Sequence, residues 1–453
     1  MTKDKILLKG GCVLSMDASI GTLQQGDVLL EGNQIAAVAP KLEVGDCEVI
    51  DAKGKIVMPG LIDTHRHLWE TALRATAADW SLMQYLQQIL GPLAASYRPE
   101  DVYVGTLLGS LEALNAGITT LFDWSHIQNS AAHTDQAIMA LQASNMRAVF
   151  GYGTPGTSVW EWFYESKLTH PQDAHRVREE YFSAEGQLLS MALAIRGPEY
   201  SSLAVSEHDI QLARELGIRI SMHAGCGGFG PKYNAVAELH KKGLLGPDIN
   251  VAHGNTLTDE DFQLLAAHGC SLSITPEVEM QMGLGMPATG RALKNGIRPS
   301  LGVDIVTGTA GDLFSQMKIA LQTERALQNE QMLKQSEMPQ VQLKAKDVLQ
   351  FATVDGATAL GLEHVTGSLS PGKQADVIMI DCTAINMAPV LDPVAAVVLL
   401  ANPANVDAVF VAGKAVKREG RLLHADVHAL QQKAIASAEY LMEKAAIAEK
   451  VLV

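Results

Sequence analysis

The sequence has little of what marks secreted, membrane-spanning or nucleic-acid-binding proteins. Its five cysteines are scattered among 453 residues, odd in number and without C-x-x-C spacing. This pattern predicts reduced thiols in a cytoplasmic protein rather than a disulfide framework. No apolar stretch reaches about 18 residues without a charge or a turn signal, so we expect no membrane span. The N-terminal run also has no long apolar segment of the kind found in secretory signals.

Clustered cations are also missing. The 35 lysines and arginines are outnumbered by 50 aspartates and glutamates, which gives a formal net charge of −15. Nucleic acids and anionic membranes are bound mainly through grouped basic side chains, and we find no such group. Apolar residues at 47% and charged residues at 19% are typical of a folded globular protein. We therefore expect a small-molecule substrate, with neither nucleic acid nor membrane as a partner.

The two ends of the chain share a β-type texture. Short apolar runs separated by glycine lie at 6–8, 12–16, 26–31, 34–39 and 48–50, and similar runs return at 367–381, 406–411 and 414–418. Such runs predict antiparallel strands. We expect residues 1–57 and 366–424 to build one small β-sandwich domain into which residues 58–365 are inserted. Residues 425–453 are rich in alanine and predict a helical tail.

The central region alternates apolar runs with longer helical patterns. The candidate strands are 57–64, 118–123, 147–152, 188–195, 219–223, 250–253, 270–274 and 298–304. A helix is predicted over 99–116, with a proline near its start and Gly117 after its end, and Thr258 is a predicted N-cap. Eight strands in this arrangement predict an α/β fold, a (β/α)8 TIM barrel. The alternative is an open doubly wound sheet, but no G-x-G-x-x-G follows the first strand.

Polar residues stand where several of these strands end. Two imidazoles at alternate positions face one side of a strand and can share a divalent metal, which favours nitrogen ligands at about 2.0–2.1 Å. The strand ends of a barrel meet at one mouth, where catalytic groups lie. The residues concerned are His65, His67, Asp123, His223, His253 and Asp304.

This arrangement predicts a metal-dependent hydrolase. A bound divalent ion lowers the pKa of its water from 15.7 towards about 7. Asp304 would take the water's proton and pass it to the leaving group, as a general base and then a general acid. A protonated His253 would stabilise the developing negative charge.

Four motifs carry a resemblance to a known family. They are Pro-Gly-Leu-Ile-Asp-Thr-His-Arg-His (59–67), Gly-Ile-Thr-Thr-Leu-Phe-Asp (117–123), Ser-Leu-Gly-Val-Asp (300–304) and Gly-Ser-Leu-Ser-Pro-Gly-Lys-Gln-Ala-Asp (367–376). The chain resembles the amidohydrolase superfamily, in its branch of cytosine deaminase, triazine hydrolases, guanine deaminase and 8-oxoguanine deaminase. The resemblance implies one divalent metal held by His65, His67, His223 and Asp304, with His253 close by. Zinc is the expected ion, although such ligands also accept iron or manganese.

The resemblance also sets expectations for the reaction and the assembly. It implies hydrolysis of a non-peptide C–N bond in a small N-heterocycle, as in a deaminase, and a homo-oligomer. Two-metal members of the superfamily carry a lysine on the fourth strand. Residues 191–199 contain no lysine, so we expect a mononuclear site.

One position departs from the family pattern. Related deaminases place a proton-shuttling glutamate three residues after the fifth-strand histidine, where this chain has Cys226. Cys226 is then either a small pocket-wall residue or a thiol near the metal. Glu277 and Glu279, after the seventh strand, are candidate replacements for the shuttle. Glu70 stands where purine-type deaminases often have glutamine, which points to a substrate with N–H or amino donors.

Further substrate contacts are expected from flat side chains. Trp69, Trp124 and His126 offer stacking surfaces for a ring. Two alternatives to deamination stay open. The same barrel would suit hydrolysis of an amide, (thio)carbamate or halide substituent, and a non-catalytic metal-binding scaffold would need no substrate at all.

Overall fold

The computed structural model describes residues 5–184, 186–423 and 425–447. Its first strands are β1 (Lys5–Leu14), β2 (Thr22–Glu31), β3 (Gln34–Ala39), β4 (Glu48–Asp51) and β5 (Lys55–Pro59). The predicted runs 6–8 and 12–16 are one strand, because irregular pairing between Leu8 and Val13 lets β1 continue past the glycines. Gly10 has a φ of 78° in this segment, a conformation that glycine adopts without steric cost.

The central strands form a barrel of parallel strands in sequence order. They are β6 (Leu61–Arg66), β7 (Ile118–Ser125), β8 (Arg147–Tyr152), β9 (Leu189–Ile195), β10 (Arg219–Ala224), β11 (Ile249–His253), β12 (Ser271–Ile274) and β13 (Ser300–Leu301). A parallel bridge between Arg66 and Asp304 joins the last segment to the first. The barrel prediction is confirmed, and the open-sheet alternative is wrong because the two outer strands meet.

The predicted strand 57–64 is in fact two strands, divided at Gly60. Pro59 ends β5 in the sheet of the chain ends, where it pairs with Val377, and Leu61 begins β6 by donating its N–H to the Gly117 carbonyl at 2.9 Å. A Cβ at Gly60 would lie 2.0 Å from Thr119 Oγ1. The chain therefore crosses between the sheets at a point where only glycine fits.

Helices surround the barrel and connect its strands. They are α1 (Leu82–Gln88), α2 (Ala94–Ser96), α3 (Pro99–Asn115), α4 (Ala131–Ser144), α5 (Val159–Trp162), α6 (Asp173–Tyr181), α7 (Leu203–Glu215), α8 (Phe229–Tyr233), α9 (Ala235–Lys241), α10 (Asp259–Ala267), α11 (Pro276–Gln281), α12 (Thr289–Lys294), α13 (Leu313–Lys334), α14 (Ala345–Phe351), α15 (Val354–Leu360), α16 (Pro393–Leu399) and α17 (Val427–Lys444). Short 3-10 helices span Leu68–Leu73 and Pro403–Asn405, and a π-helical turn spans Ile89–Leu93.

Two sequence predictions for helices are confirmed. The helix predicted over 99–116 is α3, with Pro99 in its first turn. Thr258 caps α10 by accepting a hydrogen bond from the N–H of Asp261. None of the helices in the described ranges combines the length and the apolar character that a bilayer crossing requires.

The two ends of the chain meet in a second sheet. The strands β14 (Val377–Asp381), β15 (Val406–Val411), β16 (Lys414–Arg418) and β17 (Arg421–Leu422) join β1–β5 in one nine-stranded sheet. Its junction is the antiparallel pair of β5 and β14. The tail helix α17 packs on α3, where Ser437 donates to Asp101 at 2.7 Å. The domain boundaries stay predictions, and residues 1–4 and 448–453 lie outside the described ranges.

A buried ion pair ties the barrel to this sheet. Arg147 of β8 donates to both carboxylate oxygens of Asp376, at 2.7 and 3.2 Å, and both residues are buried. Replacing Asp376 with alanine is expected to lower the free energy of unfolding by about 3–5 kcal/mol, because a buried guanidinium is left unpaired. Chemical denaturation measures this change. The control is Lys294→Ala at the exposed pair with Asp259, where we expect less than about 1 kcal/mol; equal losses in both variants would contradict the assignment.

Candidate active site

The barrel brings five predicted residues together at one end. His65 is the last but one residue of β6 and His67 lies just beyond that strand, His223 lies in β10, His253 ends β11, and Asp304 follows β13. All are buried except His223, which is partly exposed. The C-terminal ends of parallel strands form one rim, so distant parts of the chain supply groups to the same point.

The distances within this cluster fit a single cation. His223 Nε2 lies 3.2 Å from His65 Nε2, and Asp304 Oδ1 lies 3.1 Å from His67 Nε2 and 3.5 Å from His65 Nε2. Ligand atoms about 2.0–2.1 Å from one ion lie roughly 3–4 Å from one another. These three separations are therefore already those expected between ligands of one zinc-like ion.

The backbone fixes two of these groups in unusual conformations. Asp304 has a φ of 68° and His253 a φ of 78°, values that residues other than glycine seldom adopt. Asp304 donates its N–H to the His65 carbonyl and accepts from the His67 N–H, both at 2.8 Å. These two bonds lock the Asp304 backbone against the H-x-H segment and aim its carboxylate at the two imidazoles.

Hydrogen bonding also orients His67. Its Nδ1 lies 2.7 Å from the Trp124 carbonyl, and only a protonated Nδ1 can donate there. Because Nδ1 carries that proton, Nε2 is the ring nitrogen that faces Asp304 Oδ1. A partner on the far nitrogen is how metal-binding histidines are usually oriented.

The pKa values of His65, His223 and Asp304 favour the charge states that bind a cation, whereas for His67 the hydrogen bond and charge of Asp304 outweigh burial and raise the pKa. Burial lowers the pKa of His65 to about 4 and that of His223 well below its usual value. Burial alone would raise the pKa of Asp304, but hydrogen bonds and charge from His65 and other histidines hold it well below its usual range. Neutral imidazoles and an ionised carboxylate are the forms in which these side chains ligate metals.

A cavity of about 50 Å³ opens above this cluster. One end holds the histidines and Asp304, and the rest of the wall is aromatic or apolar. The other lining residues are Leu82, Tyr85, Leu86, Leu90, His126, Phe163, Tyr200, Cys226, Met282, Leu284 and Ile305. A cavity with a polar floor and apolar walls is suited to a flat, weakly polar ring.

Of the predicted substrate-binding residues, His126 and Cys226 line the cavity. Trp69 lies behind it, donating its indole N–H to His126 Nδ1 at 3.1 Å. Trp124 is fully buried, with its ring centroid 4.4 Å from that of His223. Glu70 is also fully buried and accepts the Tyr85 hydroxyl at 2.5 Å. These three support the walls, and their roles toward a substrate stay predictions.

Other polar candidates lie outside the cavity lining. Asp123 accepts the Leu68 N–H at 3.2 Å and so supports the turn after the H-x-H pair. Glu277 is bonded to Gln316 at 3.0 Å. Glu279 is fully buried behind His253, with Oε1 at 3.4 Å from His253 Nδ1. Neither glutamate is placed to touch a ring in the cavity.

The wall at position 226 presents a thiol to the cavity. Burial raises the pKa of the Cys226 thiol, which keeps it neutral. Glu199 lies below and accepts the N–H groups of Gly225 and Cys226 at 2.5 and 3.4 Å, and burial raises the pKa of Glu199 to about 7. The Glu199 carboxylate therefore bonds to the backbone of the loop after β10, and the Cys226 thiol lines the cavity.

Several lining residues were missed by sequence reasoning. Tyr200 follows Glu199 just beyond β9, so a systematic survey of strand ends could have found it. Tyr85 and the lining leucines 82, 86 and 90 come from α1 and the turn after it, Leu284 follows α11, and Phe163 follows α5. No spacing signal in the sequence indicates that these segments fold over the barrel mouth.

Comparisons with known proteins agree with this architecture. The model of the amidohydrolase family matches residues 56–416. The 5'-deoxyadenosine deaminase of Methanosarcina mazei is 31% identical over 451 residues, covering 97% of this chain and 99% of its own length. The 5-methylthioadenosine/S-adenosylhomocysteine deaminase of Pyrococcus abyssi is 27% identical over 436 residues, covering 94% and 97%.

Solved structures share the fold. An adenosine deaminase from Xanthomonas campestris with bound zinc superposes with a TM-score of 0.85 at 23% identity, covering 97% of this chain and 98% of that one. Atrazine chlorohydrolase from Arthrobacter aurescens TC1 complexed with zinc gives a TM-score of 0.84 at 22% identity, covering 96% and 100%. The match to the family model over most of its length, together with the deaminases among its relatives, identifies a hydrolase of non-peptide C–N bonds, and the chain belongs to the amidohydrolase family.

Proposed function

We propose that this enzyme is a mononuclear zinc aminohydrolase that deaminates a 6-aminopurine ring. The observation that carries the proposal is the group His65, His67 and His223, whose ligand atoms lie within 4.8 Å of one another, with Asp304 beside His67 at the floor of an aromatic and apolar cavity. The deaminases named among its relatives, which span nearly the whole chain, support the same reaction. Zinc is proposed because three imidazoles and one carboxylate suit it.

When bound, the ion would make hydroxide available from water near neutral pH. The protein's own groups then handle the protons. Asp304 accepts the proton of the attacking water and returns it to the departing amino group. His253 lies with Nε2 3.8 Å from Asp304 Oδ2 and is placed to stabilise charge on the same centre. Water adds to the amino-bearing ring carbon, its C–N bond breaks, and the products are a ring carbonyl and ammonia.

The apolar wall of the cavity favours some purine nucleosides over others. Leu82, Leu86 and Leu90 face the cavity from one side, with Met282 and Leu284 also in its lining. The relatives' names include 5'-deoxyadenosine and 5-methylthioadenosine, nucleosides that lack the 5'-hydroxyl. An apolar surface leaves a hydroxyl without a partner. We therefore propose a 5'-deoxy or 5'-methylthio nucleoside as the preferred substrate.

This preference gives the test of the proposal. With zinc-loaded enzyme, kcat/KM for 5'-deoxyadenosine is expected to exceed that for adenosine by about 10- to 100-fold, the range over which an apolar pocket rejects an added hydroxyl. The assay follows ammonia release across amino-purines, pterins, pyrimidines and triazines. Ammonia release from an aminopterin or aminotriazine alone would show that the substrate is not a purine. If no compound of the panel releases ammonia, the proposal of deamination is wrong.

A second candidate reaction is favoured by Cys226. Without a carboxylate at that wall, a leaving group that needs little protonation is easier to expel. Hydrolysis of a halide substituent on a similar ring fits this condition, because halide leaves without a proton, and hydrolysis of an amide or (thio)carbamate substituent stays an open alternative. Release of chloride or amine from such compounds, with no ammonia from the amino-ring panel, would favour it. A non-catalytic scaffold is disfavoured because the complete donor set is retained.

We also propose that the enzyme works in the cytoplasm as a homo-oligomer. The scattered cysteines support the first point. The large apolar side chains of Ile385, Leu391 and Leu400 are exposed and support the second, since exposed apolar side chains can be covered at an interface between subunits. Light scattering after gel filtration measures the oligomeric mass.

A further inference from the structure

A buried carboxylate stands behind His253, on the side away from the cavity. Glu279 of α11 is fully buried, and its Oε1 lies 3.4 Å from His253 Nδ1. The same oxygen accepts the Thr275 N–H at 2.8 Å and the Thr275 hydroxyl at 3.2 Å. Glu279 Oε2 has no hydrogen-bond partner within the described part of the chain. A buried carboxylate oxygen without a partner costs free energy, so we expect this carboxylate to have a function that offsets the cost.

The groups around Glu279 indicate that it acts on the His253 imidazole. Thr275 Oγ1 is 3.0 Å from His253 Nδ1 and gives its own proton to Glu279. With that proton committed, the Thr275 oxygen is an acceptor toward the imidazole. Both neighbours of Nδ1 therefore accept, and Nδ1 carries a proton. The opposite nitrogen, Nε2, faces the reacting end of the cavity and Asp304.

We propose that Glu279 is a positioning residue, which acts through His253 by holding the proton on Nδ1 and the ring in place. This replaces the expectation that Glu279 touches the substrate or shuttles its protons. The inference rests on the proposed function, because His253 needs a reacting centre to face. A carboxylate, an imidazole and a reacting centre in line is the arrangement by which enzymes fix both the tautomer and the direction of a histidine.

The test uses zinc-loaded full-length enzyme with 5'-deoxyadenosine as the probe substrate. Glu279→Gln keeps the size of the side chain and an oxygen for the Thr275 N–H, but removes the charge. We expect kcat to fall by about 10- to 100-fold, the usual effect of removing the partner of an active-site histidine. KM and zinc content are expected to stay unchanged. A variant with wild-type kcat, or one that changes only KM, would overturn the inference.

A matched control shows whether the effect of Glu279→Gln comes from its position behind His253 or from the loss of any buried negative charge. Glu324 of α13 is also buried, and it accepts the Gly290 N–H at 2.9 Å away from the cavity. Glu324→Gln is expected to keep kcat while losing a similar buried charge. If Glu324→Gln lowers kcat as much as Glu279→Gln, the effect is one of general destabilisation and the inference fails.

Dependence on His253 is tested by a double-mutant cycle. In a His253→Asn background, Glu279→Gln is expected to have no further effect on kcat, because residues that act as a unit are not additive. The same fold-change in both backgrounds would show that Glu279 acts by another route.

A spectroscopic readout does not depend on turnover. The proton spectrum of the zinc-loaded enzyme is expected to contain a downfield imidazole N–H resonance that is absent in His253→Asn and moves upfield in Glu279→Gln. A resonance that is unmoved contradicts the inference even if no substrate has been found. Conversely, a wild-type enzyme that is silent across the substrate panel but shows this resonance would count against the proposed function alone.

Discussion

Replacing Asp304 with asparagine is expected to lower kcat by about 10²- to 10⁴-fold, the usual loss when a general acid–base group is removed. Asparagine keeps the size of the side chain and one oxygen, but it cannot accept the proton of water. The Asp304 backbone bonds to His65 and His67 do not involve the side chain, so the fold of the rim should be retained. Stopped assays of ammonia release with 5'-deoxyadenosine measure the loss.

The expected loss has to be separated from loss of the ion. Asp304→Asn should therefore be assayed with saturating added zinc, and its metal content measured in parallel. Asp259→Asn is the control, because Asp259 is a surface carboxylate paired with Lys294. If zinc-saturated Asp304→Asn keeps wild-type kcat, another group takes the proton, and the proposed role of Asp304 is wrong.

The five residues at the rim could be predicted because each follows from simple geometry. Alternation along a strand puts His65 and His67 on one side. The parallel order of the barrel then brings His223, His253 and Asp304 to the same end. Neither step needs the packing of side chains, so a single sequence is sufficient to place them.

The cavity wall could not be predicted in the same way. Tyr85, Leu82, Leu86 and Leu90 belong to α1 and the turn that follows, and their position depends on how this segment packs over the barrel. The helix itself is short and carries no metal or charge signal. Tertiary contacts decide which residues of α1 face the cavity, and the local sequence pattern does not predict those contacts.

The glutamates after β12 show a limit of a different kind. Sequence reasoning left Glu277 and Glu279 as equal candidates, because both lie near the barrel mouth. They stand two positions apart on α11, and side chains with that spacing on a helix point in nearly opposite directions. Glu279 therefore lies behind His253, while Glu277 meets Gln316. The helix had to be known before the two could be told apart.

Gly60 is a similar case in the fold. The apolar run 57–64 is continuous and predicts one strand. Its division depends on partners elsewhere in the chain, since Gly60 donates its N–H to the Asp376 carbonyl at 3.0 Å and Leu61 pairs with Gly117. Within the run 57–64, the glycine is the one sequence feature that indicates where the chain passes from one sheet to the other.

Replacing His223 with alanine is expected to abolish both zinc retention and measurable turnover. Its Nε2 is the donor from β10, 3.2 Å from His65 Nε2, and without it the proposed site loses one of its four protein ligands. Without the ion, the pKa of water returns from about 7 to 15.7, so hydroxide near neutral pH falls by many powers of ten. Metal analysis of dialysed protein together with the ammonia assay measures the two losses.

A chemical rescue makes this prediction sharper. Alanine leaves a space of the size of an imidazole beside Trp124, whose ring centroid is 4.4 Å from that of His223. Added imidazole with zinc is therefore expected to restore part of the activity to His223→Ala. His240→Ala is the control, because His240 is an exposed residue that pairs only with His268 among the described histidines, and it should keep both zinc and turnover. A His223→Ala enzyme that holds a full equivalent of zinc and retains wild-type turnover would show that the cation binds elsewhere, and the four-donor site would have to be abandoned.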